Sequence, residues 1–157
     1  MVASVNVSSG DDQAITASQD GSVIVWTLPD LTRVLSVQNT TMFAAVMYHP
    51  DSSQFLTCGS DRKITYWTGD EGRAIRVMDG SEREINTLDI QKEEQENGEI
   101  FVTGGNDRLV RVWDYDEGSL LKVGRGHSAS VNRIKISPDG KKIVSVGSEG
   151  GIFIWNV

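Results

Sequence analysis

His127, Ser145 and Glu149 lie in the last thirty-one residues of the sequence, and a base, a hydroxyl and an acid are the ingredients of a nucleophilic triad. The same ingredients, less the histidine, recur upstream at fixed distances from a tryptophan. A hydroxyl stands ten residues and an acid six residues before each Trp: Thr16, Asp20 and Trp26; Thr57, Asp61 and Trp67; Thr103, Asp107 and Trp113; Ser145, Glu149 and Trp155. A catalytic set copied four times would imply four active sites, and only the last copy has a histidine. The pattern is therefore expected to be structural, a set of polar groups that need one another once buried.

Other chemistry is sparse. One cysteine, Cys58, and two histidines, His49 and His127, cannot supply a zinc site of the usual ligand spacing, so neither metal nor cofactor is expected. Gly124-Arg125-Gly126-His127 lacks the lysine and the following helix of a phosphate-binding loop. Asp114-Tyr115-Asp116-Glu117-Gly118 lacks the spaced ligands and terminal bidentate Glu of a calcium loop, and reads as a turn between strands. Cys58 is expected to be an inert buried thiol, and His49 a surface residue in a turn. The acid-rich stretch Lys92 to Glu99 reads as a solvated loop. No acid–base pair stands outside the repeated pattern, so an enzyme is not expected.

The elements that carry these residues are short and repeated. The tryptophans are 41, 46 and 42 residues apart, a period that marks propellers or arrays. Each closes an apolar run rich in β-branched residues: Val23 to Trp26, Ile64 to Trp67, Leu109 to Trp113 and Ile152 to Trp155. Such runs, bounded by Gly and Asp, are strands, and the fold class is all-β. The repeats run over about 1–37, 38–79, 80–124 and 125–157. The long spacing arises where Gln91 to Gly98 replaces the short turns seen as His49-Pro50-Asp51-Ser52 and Ser137-Pro138-Asp139-Gly140. The first repeat should have strands at Val2 to Ser8, Ala14 to Ser18, Ser22 to Thr27 and Thr32 to Val37. The second should use Thr41 to Tyr48, Gln54 to Cys58, Lys63 to Trp67 and Ala74 to Met78. The third should use Glu84 to Ile90, Ile100 to Thr103, Leu109 to Trp113 and Ser119 to Val123. The last has Ser130 to Ile136, Lys142 to Val146 and Ile152 to Trp155, without a fourth strand.

Composition narrows the partners. The 157 residues are 38% hydrophobic and 24% charged, enough for a core in about one domain. A net charge of −7 leaves no basic surplus for a nucleic-acid backbone or an anionic membrane surface. A single cysteine excludes an intramolecular disulfide and suits a reducing, cytoplasmic setting. No apolar run approaches the roughly 18 residues of a membrane span, and the N-terminus lacks the basic start of a signal peptide. The sequons at Asn6 and Asn39 are accordingly read as chance.

The repeated residues resemble the WD-repeat family along the whole chain. The fourth repeat carries the fullest match, with Gly126-His127, Val131 to Pro138, Asp139-Gly140, Ser145, Glu149-Gly150 and Trp155-Asn156, and the third has the pair Trp113-Asp114. The resemblance implies WD40 β-propeller blades: three complete four-stranded blades plus a three-stranded fourth, a fragment of a larger propeller. It also implies what the repeated side chains do. The indole N–H bonds the hydroxyl, the hydroxyl bonds a histidine, and the histidine bonds the acid, tying one turn of the blade to the loop before its first strand. The histidine position reads Asn39 in the second repeat and Ser81 in the third, and falls before Met1 in the first, so partial networks are expected. The turn glycine of Asp20-Gly21 and Glu149-Gly150 becomes Arg62 and Arg108. Either those turns need no positive φ, or each Arg carries about 1 kcal/mol of strain.

In that family the turn face recognises partners. The candidate protein-binding residues here are Gln19, Ser60, Asn106 and Ser148 before the acids, Arg62 and Arg108 after them, and Met42, Glu84 and Ser130 at the start of first strands. Cys58 to Trp67, Phe101 to Tyr115, and Val123 to Ser128 with Ile143 to Val146 resemble the C-terminal part of axonemal, cilia- and flagella-associated WD-repeat proteins. That implies a non-catalytic scaffold at the inner surface of doublet microtubules, with tubulin or neighbouring axonemal proteins as partners. A WD adaptor of another kind, such as a ubiquitin-ligase substrate receptor or a signalling scaffold, is the alternative. The missing strand implies an open arc with a bare edge along Ile152 to Trp155, and self-association of the isolated fragment.

Overall fold

The computed structural model describes residues 1–91 and 98–157, so most of the acid-rich stretch read as a solvated loop lies outside the described residues. Four antiparallel sheets are built from fifteen strands among the described residues. Sheet 1 runs β1 (Val2–Val7), β2 (Gln13–Ser18), β3 (Ser22–Thr27) and β4 (Thr32–Gln38). Sheet 2 runs β5 (Phe43–Tyr48), β6 (Gln54–Gly59), β7 (Lys63–Thr68) and β8 (Ala74–Asp79). Sheet 3 runs β9 (Ile85–Ile90), β10 (Ile100–Gly105), β11 (Leu109–Asp114) and β12 (Leu120–Arg125). Sheet 4 has three strands, β13 (Val131–Ile136), β14 (Lys142–Gly147) and β15 (Ile152–Asn156). Each sheet is a meander in sequence order, the topology of a propeller blade. The chain divides into two compact units, 1–79 with sheets 1 and 2, and 80–157 with sheets 3 and 4.

Most strand limits lie within one residue of the sequence expectation, and three differ by two, β10 running on to Gly105, which pairs with Ile85. β5 starts at Phe43 rather than Thr41, because Thr41 is buried as an anchor and its hydroxyl accepts the Asp61 N–H at 3.2 Å. β12 continues to Arg125, which pairs across the sheet with Leu109.

β2, β6, β9 and β10 are buried at alternate or successive positions, whereas β1 leaves Val2, Val5 and Val7 exposed. Within the first unit, Ile15, Val23, Val25, Phe43, Val46 and Phe55 form one core. Within the second, Val102, Val110, Val131, Ile134 and Ile143 form another. Phe55 stacks on its cross-strand partner Trp67 at 6.1 Å, and Phe101 on Trp113 at 6.0 Å. Phe55 and Phe101 are fully buried, each worth about 1.5–3 kcal/mol of transfer free energy. The fourth strands are mostly exposed, and β15 presents Ile152 and Ile154 at 71% and 67% exposure.

Every first–second strand pair slips register by one residue near its β2–β3-type turn, between Val2 and Ser4, Phe43 and Ala45, Gly104 and Gly105, and Val131 and Arg133. Such a bulge turns the chain as it enters the blade. It brings the candidate side chains of that turn beside the loop before the first strand.

Candidate functional site

The fourth blade holds the longest polar chain. The Trp155 indole donates to Ser145 Oγ at 2.8 Å, Ser145 Oγ shares a 2.7 Å hydrogen bond with His127 Nε2, and His127 Nδ1 meets Glu149 Oε1. Gly147 makes room for it, since a Cβ there would collide with both Glu149 and His127 Nδ1. The His127 bond holds the Glu149 carboxyl below its ordinary value.

A serine, an imidazole and a carboxylate in hydrogen-bonded sequence have the connectivity of a hydrolytic triad. The surroundings remove that chemistry. Ser145 is fully buried in the middle strand of its sheet, and one of its lone pairs accepts the Trp155 N–H. A substrate carbonyl has no path to that oxygen, and the group serves as a buried tie.

The other blades keep the first bond and vary the rest. Trp26, Trp67 and Trp113 donate to Thr16, Thr57 and Thr103 at 3.1, 2.8 and 2.9 Å. Asp20 accepts from the Ser22 N–H and hydroxyl at 2.9 and 2.6 Å, and these bonds hold its carboxyl below its ordinary value. Asp61 accepts the Lys63 N–H at 3.1 Å. Asp107 accepts from Leu109 N–H at 3.1 Å, from Ser81 Oγ at 2.7 Å, and pairs with Arg111 at 2.6 Å. Arg111 was not among the sequence candidates; its only signal is a cation four residues after the acid, on a strand where Ile24 and Thr65 stand in the sister blades.

Two sequence readings are corrected. Asn39 does not fill the histidine position: it is exposed and accepts its neighbour's Thr40 N–H at 2.6 Å, while Thr41 reaches the turn instead. His49 is half-buried rather than fully exposed; its side chain is 12% exposed and bonds Asp51 Oδ1 at 2.6 Å. Cys58 is buried, and burial pushes its thiol pKa up. Asp114 to Gly118 form a turn in which Asp114 Oδ1 accepts the Glu117 N–H at 2.7 Å. No cluster of metal-ligating side chains exists among the described residues.

The turn face is tied in the same way in each blade. The backbone N–H groups of Gln19, Ser60, Asn106 and Ser148 donate to the carbonyls of Met1, Met42, Glu84 and Ser130 at 2.9–3.0 Å. Some candidate side chains are spent internally. Ser60 Oγ accepts the Met42 N–H at 3.0 Å, and Asn106 donates to Glu84 at 2.8 Å and accepts from Asn86 at 2.8 Å. Ser148 Oγ donates to Asn132 at 3.1 Å. Gln19, Met42, Arg62 and Arg108 point to solvent. Arg62 and Arg108 have φ of 65° and 68°, in the same left-handed turn position as Gly21 and Gly150, so the strained alternative is the observed one.

A second repeated device escaped the sequence reading. In the first unit, Val46 N–H donates to Ser4 Oγ at 3.2 Å and Tyr48 N–H to Asn6 Oδ1 at 2.9 Å. In the second, Ile134 N–H donates to Thr87 Oγ1 at 3.2 Å and Ile136 N–H to Asp89 Oδ2 at 2.8 Å. Polar side chains on the first strand of one sheet thus clip the backbone of the first strand of the next within the unit. The matching positions of β5 and β13 carry Ala45 and Met47, and Arg133 and Lys135, none of which offers an oxygen.

Meander blades, an indole–hydroxyl bond in every blade and the tied turn face define a WD-repeat protein. Residues 31–68, 72–114 and 118–156 match the family described as WD domain, G-beta repeat, and the chain belongs to it. The chain is similar to cilia- and flagella-associated protein 52 of Chlamydomonas reinhardtii, with 45% identity over 153 residues that make up 97% of this chain and 24% of that protein. It is likewise 45% identical to the proteins of that name from Sus scrofa and Homo sapiens, over 155 residues, 98% of this chain and 24% of each. The chain spans about a quarter of the length of these curated relatives.

Proposed function

We propose that this chain is a non-catalytic protein-interaction segment of a ciliary or flagellar WD-repeat protein, acting at the inner surface of axonemal doublet microtubules. Its partners are tubulin or neighbouring axonemal proteins. The observation that carries this reading is 45% identity, across nearly the whole chain, to proteins named for cilia and flagella. The internal use of Ser145, His127 and Glu149 supports a scaffold rather than an enzyme. The exposed side chains of Gln19, Met42 and Arg62 on the first unit, and of Glu84, Arg108 and Ser148 with Ser130 on the second, are the residues offered for recognition. Co-sedimentation of the full-length protein with purified doublet microtubules tests this. It should pellet with the doublets, and a protein left in the supernatant would overturn the reading.

A further inference from the structure

We propose that Arg108 and Arg125 form a cleft that receives the carboxylate of an Asp or Glu side chain from an acidic segment of a partner protein. The inference rests on the reading of the turn face as an interaction surface, and narrows it to one ligand chemistry at one place. The cleft lies within the second unit, beside the turn between β11 and its preceding strand, and Glu82, Asp107, Arg108, Arg125 and His127 are among its lining residues.

The polar groups at its floor are already satisfied. Asp107 accepts from Ser81 and Leu109 and pairs with Arg111, and both ring nitrogens of His127 are engaged by Ser145 and Glu149. The two guanidinium groups have neither a hydrogen bond nor an ion pair among the described residues, and both residues are exposed. Arg125 lies directly across the sheet from Leu109, the residue that follows Arg108, and both arginines line the same cleft.

The sister blades serve as internal controls. In sheet 1 the position of Arg125 is Gln38, whose amide is spent on the Asp20 carbonyl at 2.9 Å. In sheet 2 it is Asp79, across from Lys63, so an acid stands next to the turn arginine. In sheet 3 a second arginine stands there instead. The chain has 22 acids against 15 bases, yet Glu82 is the one acid lining the cleft that is not already bonded. Like charges held together without a partner cost free energy, as does an Arg at φ 68° where Gly21 and Gly150 serve in sister turns. The first of these costs is offset when an anion binds. Guanidinium groups present planar forks that match a carboxylate in two parallel hydrogen bonds. Two arginines and Glu82 sum to one positive charge, which a singly charged carboxylate neutralises and a doubly charged phosphate exceeds.

The test uses the chain as it stands, with an end-blocked polyglutamate peptide as the probe, and matching polyglutamine and phosphoserine peptides as comparisons. Arginine Nε–Hε resonances are followed by NMR and affinity by fluorescence anisotropy. The glutamate peptide should move the Arg108 and Arg125 resonances, and the glutamine peptide neither. Arg125→Gln and Arg108→Gly should each weaken binding about tenfold, the worth of a charged hydrogen bond. Glu82→Gln should tighten it about twofold. Arg108→Gly restores the residue of the sister turns, so its melting temperature should hold or rise while its binding falls, which separates ligand loss from unfolding. Equal responses to glutamate and glutamine, unchanged affinity in Arg108→Gly, or tighter binding of the phosphoserine peptide would overturn the proposal. If both arginine variants of the full-length protein still pellet with doublets as the unaltered protein does, the cleft assignment falls and the interaction reading stands. If the unaltered protein does not pellet, the interaction reading falls, and the peptide titration still judges the cleft.

Discussion

Oδ2 of Asp89 accepts the backbone N–H of Ile136 at 2.8 Å, while Oδ1 meets the Lys135 ammonium at 2.6 Å. The carboxylate is buried on β9 and its partners are on β13, so one side chain joins two sheets. Asp89→Ala would strand a buried N–H and should cost about 1–3 kcal/mol in urea unfolding. Asp89→Asn keeps an acceptor for Ile136 but turns an amide N–H towards the Lys135 ammonium, whose side chain is 68% exposed and can swing into solvent, so its cost should be smaller than that of the alanine variant. Hydrogen exchange at Ile136 should accelerate in the alanine variant and stay slow in the asparagine variant.

Trp113 combines a stacked ring on Phe101 with a buried donor to Thr103. Truncation to alanine should cost about 3–5 kcal/mol, a large part of the stability of a domain this size. A Trp113→Ala chain with unchanged near-UV circular dichroism and urea midpoint would refute this account of the blade core.

Arg62 repeats the left-handed backbone of Arg108 on the first unit, at φ 65°. Glycine relieves about 1–2 kcal/mol of steric cost there but loses about 0.5–1 kcal/mol through the freer unfolded chain. Arg62→Gly should therefore raise stability by about 0.5 kcal/mol, and Arg62→Val, branched at Cβ, should lower it. Thermal unfolding of the two variants gives the order.

The Glu149 carboxyl is held below its ordinary value of 4.5 chiefly by the His127 bond, so protons bind the unfolded chain first. Its contribution is present above pH 4.5 and is lost as pH falls through the lower folded value. Glu149→Gln cannot titrate. The stability gap between the two proteins should therefore be widest above pH 4.5 and shrink below it; a gap that grew on acidification would contradict the assigned partner.

β15 lies at the edge of its sheet and leaves Ile152 and Ile154 exposed, an invitation to a strand or apolar face from another chain. The isolated 17.2 kDa chain should self-associate at tens of micromolar. Light scattering that gives a strictly monomeric mass would refute this, and Ile154→Lys should shift the chain towards monomer.

The blades were legible because a tryptophan closes an apolar run at near-constant spacing, and local sequence fixes where such a strand ends. The tie residues Thr16, Thr57, Thr103 and Ser145 were legible for the same reason, since ten residues span one hairpin and bring hydroxyl and indole together. The aligned histidine position failed at Asn39, which lies well before Trp67 in the chain and is separated from it by two turns. There the backbone path, not the offset, decides that Thr41 faces the turn. The clips were missed because Ser4 and Asn6, or Thr87 and Asp89, read as ordinary alternation in a half-polar strand. Their partners are backbone groups 42 to 47 residues away, which leave no trace in side-chain pattern.

Apolar faces resist being pulled apart, yet they resist sliding poorly, because dispersion and water exclusion have little direction. The Ser4–Val46 and Asn6–Tyr48 bonds, and those from Thr87 and Asp89, are directional and lie on the first strands of the sheets. They act as detents: each fixes how far one sheet may shear along its neighbour before a hydrogen bond must break. Within each unit, stiffness against shear thus comes from a handful of first-strand oxygens, while cohesion comes from the much larger area of Val, Ile and Phe outside them.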